Sequence, residues 1–255
     1  MTDRLTTSLW MMNSDGSNHR KLTSRTKNEG NAQWSPDGTR IAFSSSDEEH
    51  GGEIFVYWLE SGVYTRITQL EGGPSGMSWS PDGLTIAFIM KVPGKELSLV
   101  KPLPKPKGAE WADAPRITTR FKYEQDGAGY LSPGFRHIFT VSAEGGAVKQ
   151  LTSGDMDYGS PVWSPSGDYV LFSANLHEER DRERRNSEIY KLELKDGTIK
   201  PLTERFGPDY NPVISPDGST IAWLSYEDKI RTYQIAHIWL MDSDGNNKRR
   251  IKTEL

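Results

Sequence analysis

One pentapeptide recurs along the 255-residue chain, and no other feature restricts its folding as tightly. Trp34-Ser35-Pro36-Asp37-Gly38 returns as Trp79-Ser80-Pro81-Asp82-Gly83, Trp163-Ser164-Pro165-Ser166-Gly167 and Ile214-Ser215-Pro216-Asp217-Gly218. A second marker keeps step with it. The Thr of Leu22-Thr23, Ile67-Thr68, Leu151-Thr152 and Leu202-Thr203 always lies 11 residues before the residue that opens the next pentapeptide. The interval from Trp79 to Trp163 is 84 residues, about twice the 45 from Trp34 to Trp79. A degraded copy is therefore expected midway, and Tyr123-Glu124-Gln125-Asp126-Gly127 fits the place. Self-similarity at such a period marks stacked supersecondary units.

Each unit reads as four short strands. Ser-Pro-Asp-Gly is a tight turn: Pro presets φ, Asp bonds the backbone ahead of it, and Gly takes positive φ. A β-rich run follows, such as Arg40-Ile41-Ala42-Phe43-Ser44. Next come a run such as Glu53-Ile54-Phe55-Val56-Tyr57-Trp58, a Gly turn, and a last strand ending in Leu-Thr or Ile-Thr. Four antiparallel strands every 40–45 residues describe a β-propeller blade. The sequence thus predicts an all-β, single-domain propeller over 1–255, with units starting near 31, 76, 119, 160 and 211. Leu9-Trp10-Met11-Met12 aligns with Ile238-Trp239-Leu240-Met241, so 8–23 reads as a half-blade ahead of five complete blades. Open blade edges of this kind lead to an expectation of homo-oligomers.

Composition agrees and narrows the function classes. Trp and Tyr together number 18, Gly 24 and Pro 15, while hydrophobic residues are only 35%. That mixture favours short strands and turns over long helices. The formal net charge of −4 argues against nucleic acid as a partner, since that needs a basic stripe. No apolar run approaches the ~20 residues that span a bilayer, and the first residues do not read as a secretory signal, so no membrane and a cytoplasmic setting are expected. The absence of Cys removes disulfides, thiolate metal sites and a Cys nucleophile.

Residues that carry chemistry are sparse. Gly73-Pro74-Ser75-Gly76-Met77 comes nearest to a nucleophile elbow and fails at its last position. The five His (His19, His50, His137, His177, His237) show no ligand spacing. The expectation is therefore no catalytic residue, no metal and no cofactor in this chain, and no enzymatic activity by it alone. Asp37, Asp82, Asp126 and Asp217 read as turn caps rather than calcium ligands, because one carboxylate per turn cannot supply six to eight oxygens. Trp34, Trp79 and Trp163 read as inter-blade anchors rather than a sugar-stacking platform. The charged run His177 to Arg185 reads first as a solvated loop. In a four-stranded blade the second-to-third loops share one face with the blade-to-blade connections. Nearly all the length variation falls in these second-to-third loops (45–52, 91–116, 175–186, 226–235), so a partner surface is expected on that face.

The Pro-Asp-Gly propeller repeat resembles the TolB family and the propeller of prolyl-oligopeptidase-type serine peptidases. Trp111, Asp113-Ala114-Pro115-Arg116-Ile117, Arg120, Tyr123, Asp126-Gly127, Gly129-Tyr130 and His137-Ile138-Phe139 are similar to the acylaminoacyl-peptidase branch. So are Leu151-Thr152-Ser153-Gly154-Asp155, Asp157 and Phe172-Ser173-Ala174-Asn175-Leu176. The resemblance implies a seven-bladed ring over an α/β-hydrolase domain bearing a Ser-Asp-His triad, with the ring admitting short peptides. Against that pattern five and a half blades are incomplete, and no segment here matches a hydrolase domain. The expected function is non-catalytic: gating peptide access and docking on a hydrolase domain, in cis or in trans. The alternative is a stand-alone TolB-like propeller that binds proteins or peptides. A hydrolase or lyase site in the central channel ranks last, since no His or acidic position repeats on the inner strands.

Overall fold

The computed structural model describes residues 6–23, 28–46, 51–95, 97, 104–111 and 116–252. Among these there is no helix, and the strands form four four-stranded antiparallel sheets and two small hairpins. The first hairpin pairs β1 (Trp10–Met11) with β2 (Arg20–Lys21). Blade 1 follows as β3 (Glu29–Trp34), β4 (Arg40–Ser46), β5 (Gly52–Trp58) and β6 (Tyr64–Arg66), hydrogen-bonded in chain order. Blade 2 begins with β7 (Ser75–Trp79) and β8 (Thr85–Pro93), and the second hairpin, β9 (Glu124–Gln125) with β10 (Gly129–Tyr130), lies next in the chain. Blade 2 is then completed by β11 (Gly134–Ser142) and β12 (Lys149–Gln150). Blade 3 is β13 (Val162–Trp163), β14 (Tyr169–Ala174), β15 (Glu188–Glu193) and β16 (Ile199–Pro201). Blade 4 is β17 (Asp209–Ile214), β18 (Thr220–Ser225), β19 (His237–Asp242) and β20 (Arg249–Arg250).

The all-β propeller architecture holds, but the count of five blades does not. The unit placed near 119 is no blade. Tyr123-Glu124-Gln125-Asp126-Gly127 forms only the β9–β10 hairpin, whose strands are two exposed residues each. β8 pairs directly with β11 over nine residues, from Gly134 opposite Pro93 to Ser142 opposite Thr85. Residues 94–133 are therefore an insertion between the second and third strands of blade 2 that happens to match a blade in length. The degraded pentapeptide lacks the Ser and Pro that build the turn elsewhere, which is the physical reason it cannot start a blade.

The genuine turns show what the pentapeptide does. The Ser35 hydroxyl donates to Asp37 Oδ1 at 2.6 Å and accepts the Arg40 N–H at 2.9 Å, while the same Asp oxygen accepts the Thr39 N–H at 3.1 Å. Gly38 sits at φ +69°. Blades 2 and 4 repeat this bonding through Ser80 with Asp82 and Ser215 with Asp217. These hydrogen bonds hold the Asp37 carboxyl down at about 2 and lower Asp82 and Asp217 in the same way.

The Leu-Thr marker has an equally local cause. After the fourth strand the Thr hydroxyl accepts an N–H of the third strand, at 2.9 Å for Thr68 with Ile54, Thr152 with Ile138 and Thr203 with Ile189. In blades 1 and 3 it also donates to a buried Glu near the start of the third strand, Thr68 to Glu53 at 2.6 Å and Thr203 to Glu188 at 2.5 Å. The N-terminal hairpin has Ser8 at the Glu position, and the carboxylate comes instead from Glu29 of blade 1, which accepts from Thr23 and from the Leu9 N–H. In blade 2 the place is taken by His137, whose Nδ1 lies 3.4 Å from the Thr152 hydroxyl.

Blades stack face to face. Ala42, Ile54, Val56 and Ile67 of blade 1 pack on Trp79, Ile86 and Phe88 of blade 2. Ile89 and Ile138 of blade 2 meet Val170, Phe172 and Tyr190 of blade 3, whose other side meets Ile221, Trp223 and Met241 of blade 4. Inner strands are tied by indole N–H groups: Trp79 donates to the Gln33 carbonyl at 3.1 Å and Trp163 to that of Ser78 at 3.0 Å. Trp34, one blade earlier, has no such neighbour among the described residues and is 55% exposed. At the far side, Ile238 and Ile251 occupy the positions of Ile54 and Ile67, yet are 44% and 36% exposed where their counterparts are buried.

A charged cavity on the elaborated face

Strand polarity puts the long loops where a site can form. The second-to-third loops of blades 2, 3 and 4 share one end of the sheets with the blade-to-blade connections. Together they enclose a cavity of about 1110 Å³. The insertion supplies Arg120 and Lys122, and the start of β11 supplies Arg136. The blade 2 to blade 3 connection adds Asp155 and Asp157. Blade 3 gives Asn175 and 180–187, and blade 4 gives Asn211, Asp228 and 230–232.

The charged run from His177 onward is not a free, solvated excursion. Its chain turns back on itself, with the Arg182 and Glu183 N–H groups both donating to the Glu179 carbonyl at 2.8 and 2.9 Å. Asn175 clamps it by donating its amide to the Glu183 carbonyl at 2.6 Å. Buried Asn186 fastens the other end, accepting the Gly207 N–H at 3.1 Å and donating to Glu183 Oε2 at 3.1 Å. Arg180 reaches across to the Asp155 carbonyl at 3.2 Å. The loop is a pinned flap over the blade 2–blade 3 junction.

Ion pairs knit the insertion to the same wall. Arg120 lies 3.6 Å from Asp157 and 3.7 Å from Asp181, and Arg136 lies 3.5 Å from Asp157. The Arg120 guanidinium also covers the Phe135 ring, and Arg116 covers Tyr130, which stacks on Tyr123. A second cavity of about 630 Å³, between insertion and blade 2, shares Arg120, Lys122, Arg136 and Asp157 with the first. The stretch that carried the family resemblance thus forms one wall of the site, although Asp113-Ala114-Pro115 lies outside the described residues.

Two buried groups beneath the cavity are displaced from their usual ionisation. Burial pushes the Glu188 carboxyl up to about 7, against the opposing pull of Thr203 and the Arg205 N–H. His177 Nε2 sits 3.7 Å from Glu188 Oε1. Burial likewise lowers His137, with Asp157 and Asp155 acting the other way. Nearby, Arg205 pairs with buried Asp209 at 3.3 Å, and both bond Ser225.

The elaborated face was legible from its loop lengths, and the flap and the 226–235 loop do line the cavity. Sequence spacing gave no hint that Arg120, Arg136 and Asp157 meet, because they belong to different segments. Glu53 and Glu188 also went unnoticed. Their only signal is a Glu directly before an Ile near the start of a third strand.

Fold and site together define a β-propeller module with a charged cavity on its loop-bearing face. A family model described as TolB beta propeller domain matches residues 2–254, and the chain belongs to that family. It is 28% identical to the "Uncharacterized peptidase YuxL" of Bacillus subtilis, over 70% of this chain and 27% of that protein. It is 29% identical to "Dipeptidyl-peptidase 5" of Porphyromonas gingivalis, over 89% of this chain and 34% of that one. The chain thus spans about a third or less of the length of these curated relatives. Among solved structures, acylaminoacyl peptidase from Pyrococcus horikoshii superposes with a TM-score of 0.68 at 18% identity, covering 95% of this chain and 34% of that one.

Proposed function

We propose that this chain is the propeller portion of an acylaminoacyl-peptidase-like serine peptidase, which controls peptide access to an α/β-hydrolase domain and docks on it. The observation that carries the reading is the cavity on the elaborated face, walled by the stretch that resembles the acylaminoacyl-peptidase branch. Similarity to peptidases over most of this chain supports it. Physically, a rigid stack of blades excludes bulky substrates, and charged loops at its end select what passes. The test is the size of the native protein in source cells, detected with an antibody to this chain. A polypeptide much larger than 255 residues, or a co-purifying hydrolase polypeptide, is expected. A species of 255 residues with no hydrolase partner overturns the reading.

A second reading is a stand-alone TolB-like module that binds a protein or peptide through the same face. The match of residues 2–254 to the TolB beta propeller domain favours it. Deleting the flap separates partner binding from folding here: recovery of every partner unchanged in a pull-down excludes this face.

A further inference from the structure

The charge of the larger cavity is opposite to that of the chain. The protein carries a net −4, yet the cavity is lined by eight Arg or Lys side chains and five carboxylates. Four of those carboxylates are already engaged. Asp157 faces Arg120 and Arg136, and Asp181 faces Arg120. Glu183 accepts from Asn186. Asp228 accepts the Ile230 N–H at 2.9 Å and the Gln234 amide at 2.8 Å, and Arg185 adds to the lowering of its pKa. Arg180 is held by the His177 and Asp155 carbonyls and Arg182 by Glu179, so three cations are left over. Lys122, Arg184 and Arg231 make no ion pair among the described residues. They come from three separate loops, those of blades 2, 3 and 4, so no single run of sequence explains their convergence.

We propose that this cavity binds the carboxylates of an acidic peptide, with Lys122, Arg184 and Arg231 as the receiving cations; the proposal rests on the peptide-handling reading above and names its ligand class. A concave wall with an excess of one sign concentrates potential and draws in the opposite charge. The two guanidinium groups can each hold a carboxylate through paired N–H donors, and Lys122 adds a point charge. Spacing over three loops suits several carboxylates strung on a flexible backbone. Phe206 and Ile230, 50% and 89% exposed beside the charges, offer apolar contact to the methylenes of such side chains.

The test uses the 255-residue chain and fluorescence anisotropy with two labelled hexapeptides, Gly-Glu-Ala-Glu-Ala-Glu and its Gln counterpart with an amidated C-terminus. The acidic peptide should bind roughly tenfold more tightly at low salt, and the gap should close as salt rises. Lys122→Gln, Arg184→Gln and Arg231→Gln should each weaken it by about 2- to 5-fold while leaving the Gln peptide unchanged. Lys195→Gln, on a turn at the opposite face, should change neither. Equal binding of both peptides, insensitive to the three variants, overturns carboxylate recognition and leaves the peptide surface standing. Binding of neither peptide overturns the peptide-handling reading and this proposal with it. If oligogalacturonate binds in their place and responds to the same three variants, the cations serve a uronate sugar and the peptide assignment falls.

Discussion

The indole N–H of Trp79 donates to the carbonyl of Gln33 at 3.1 Å, so the first residue of this pentapeptide fastens blade 2 to blade 1. Trp163 does the same to Ser78 at 3.0 Å, and the Arg40 guanidinium covers the Trp79 ring at 5.1 Å. Replacing Trp79 by Phe removes the bond to the part-buried Gln33 carbonyl and leaves a small void. The expected cost is about 1–2 kcal/mol. Trp34→Phe should cost less than about 0.5 kcal/mol, since its ring is exposed and anchors nothing among the described residues. Urea unfolding of the two variants checks this. Equal losses would show that the indole bond is not what joins the blades.

The same comparison of equivalent positions foresees self-association of the 255-residue chain. Ile54 and Ile67 are covered by blade 2, whereas Ile238 and Ile251 present the same apolar face uncovered. Such a patch beside an open sheet drives contact between copies. Sedimentation should show concentration-dependent oligomers, reduced by Ile238→Lys. A monomer at all concentrations for both proteins would contradict it.

Much of this was legible in the sequence because the repeat acts locally. The pentapeptide builds its turn from its own side chains, and the Thr marker closes its own blade, so both announce themselves at fixed offsets. Blade number was harder. A forty-residue insertion and a blade consume the same length of chain, and only the pairing of Pro93 with Gly134 tells them apart. The cavity was harder still, since Arg120, Asp157 and Asp181 are joined by topology and not by spacing.

Blade 3 carries Ser166 where blades 1, 2 and 4 have Asp. Its turn is correspondingly looser, with Ser164 and Ser166 hydroxyls 3.1 Å apart and the Asp168 N–H at 3.5 Å from Ser166. Ser166→Asp should restore the bonding seen at Asp37. A rise in Tm of roughly 2 °C is expected from one added turn hydrogen bond in a chain of this size. Differential scanning calorimetry reads it directly, and a fall in Tm would mean the nearby Asp168 repels the new charge.

Glu188 gives the fold a pH dependence with a definite sign. Its carboxyl is pushed up to about 7 from the ordinary 4.5, so between those values the folded state keeps a proton that the unfolded chain has released. The associated stability is fully present below about 4.5 and lost as pH rises through about 7. His177, Arg205 and Asp209 surround the group; the Arg205 charge partly offsets the loss and the Asp209 charge adds to it. Glu188→Gln cannot ionise and keeps an acceptor for Thr203. Its fall in stability from pH 5 to pH 8 should be shallower than that of the parent by on the order of 1 kcal/mol. Identical slopes would place the titration elsewhere.

The insertion in blade 2 supplies walls for the cavity but no strand to the blade. Gly94 and Pro133 are already joined by a backbone hydrogen bond of 3.2 Å, and β8 and β11 are in register from Pro93 and Gly134 inward. Replacing 95–132 by Asn-Gly gives β8 and β11 a two-residue hairpin connection that matches strand twist. The shortened chain should fold with the same β-rich circular dichroism and lose only a few degrees in Tm, mainly through the Arg120 pairs with Asp157 and Asp181. Its larger cavity should open, because Arg120 and Lys122 leave with the insertion. If 119–150 were a blade in its own right, the same deletion would remove two of its strands and the protein would not fold. Cooperative unfolding of the shortened chain therefore decides between four blades and five.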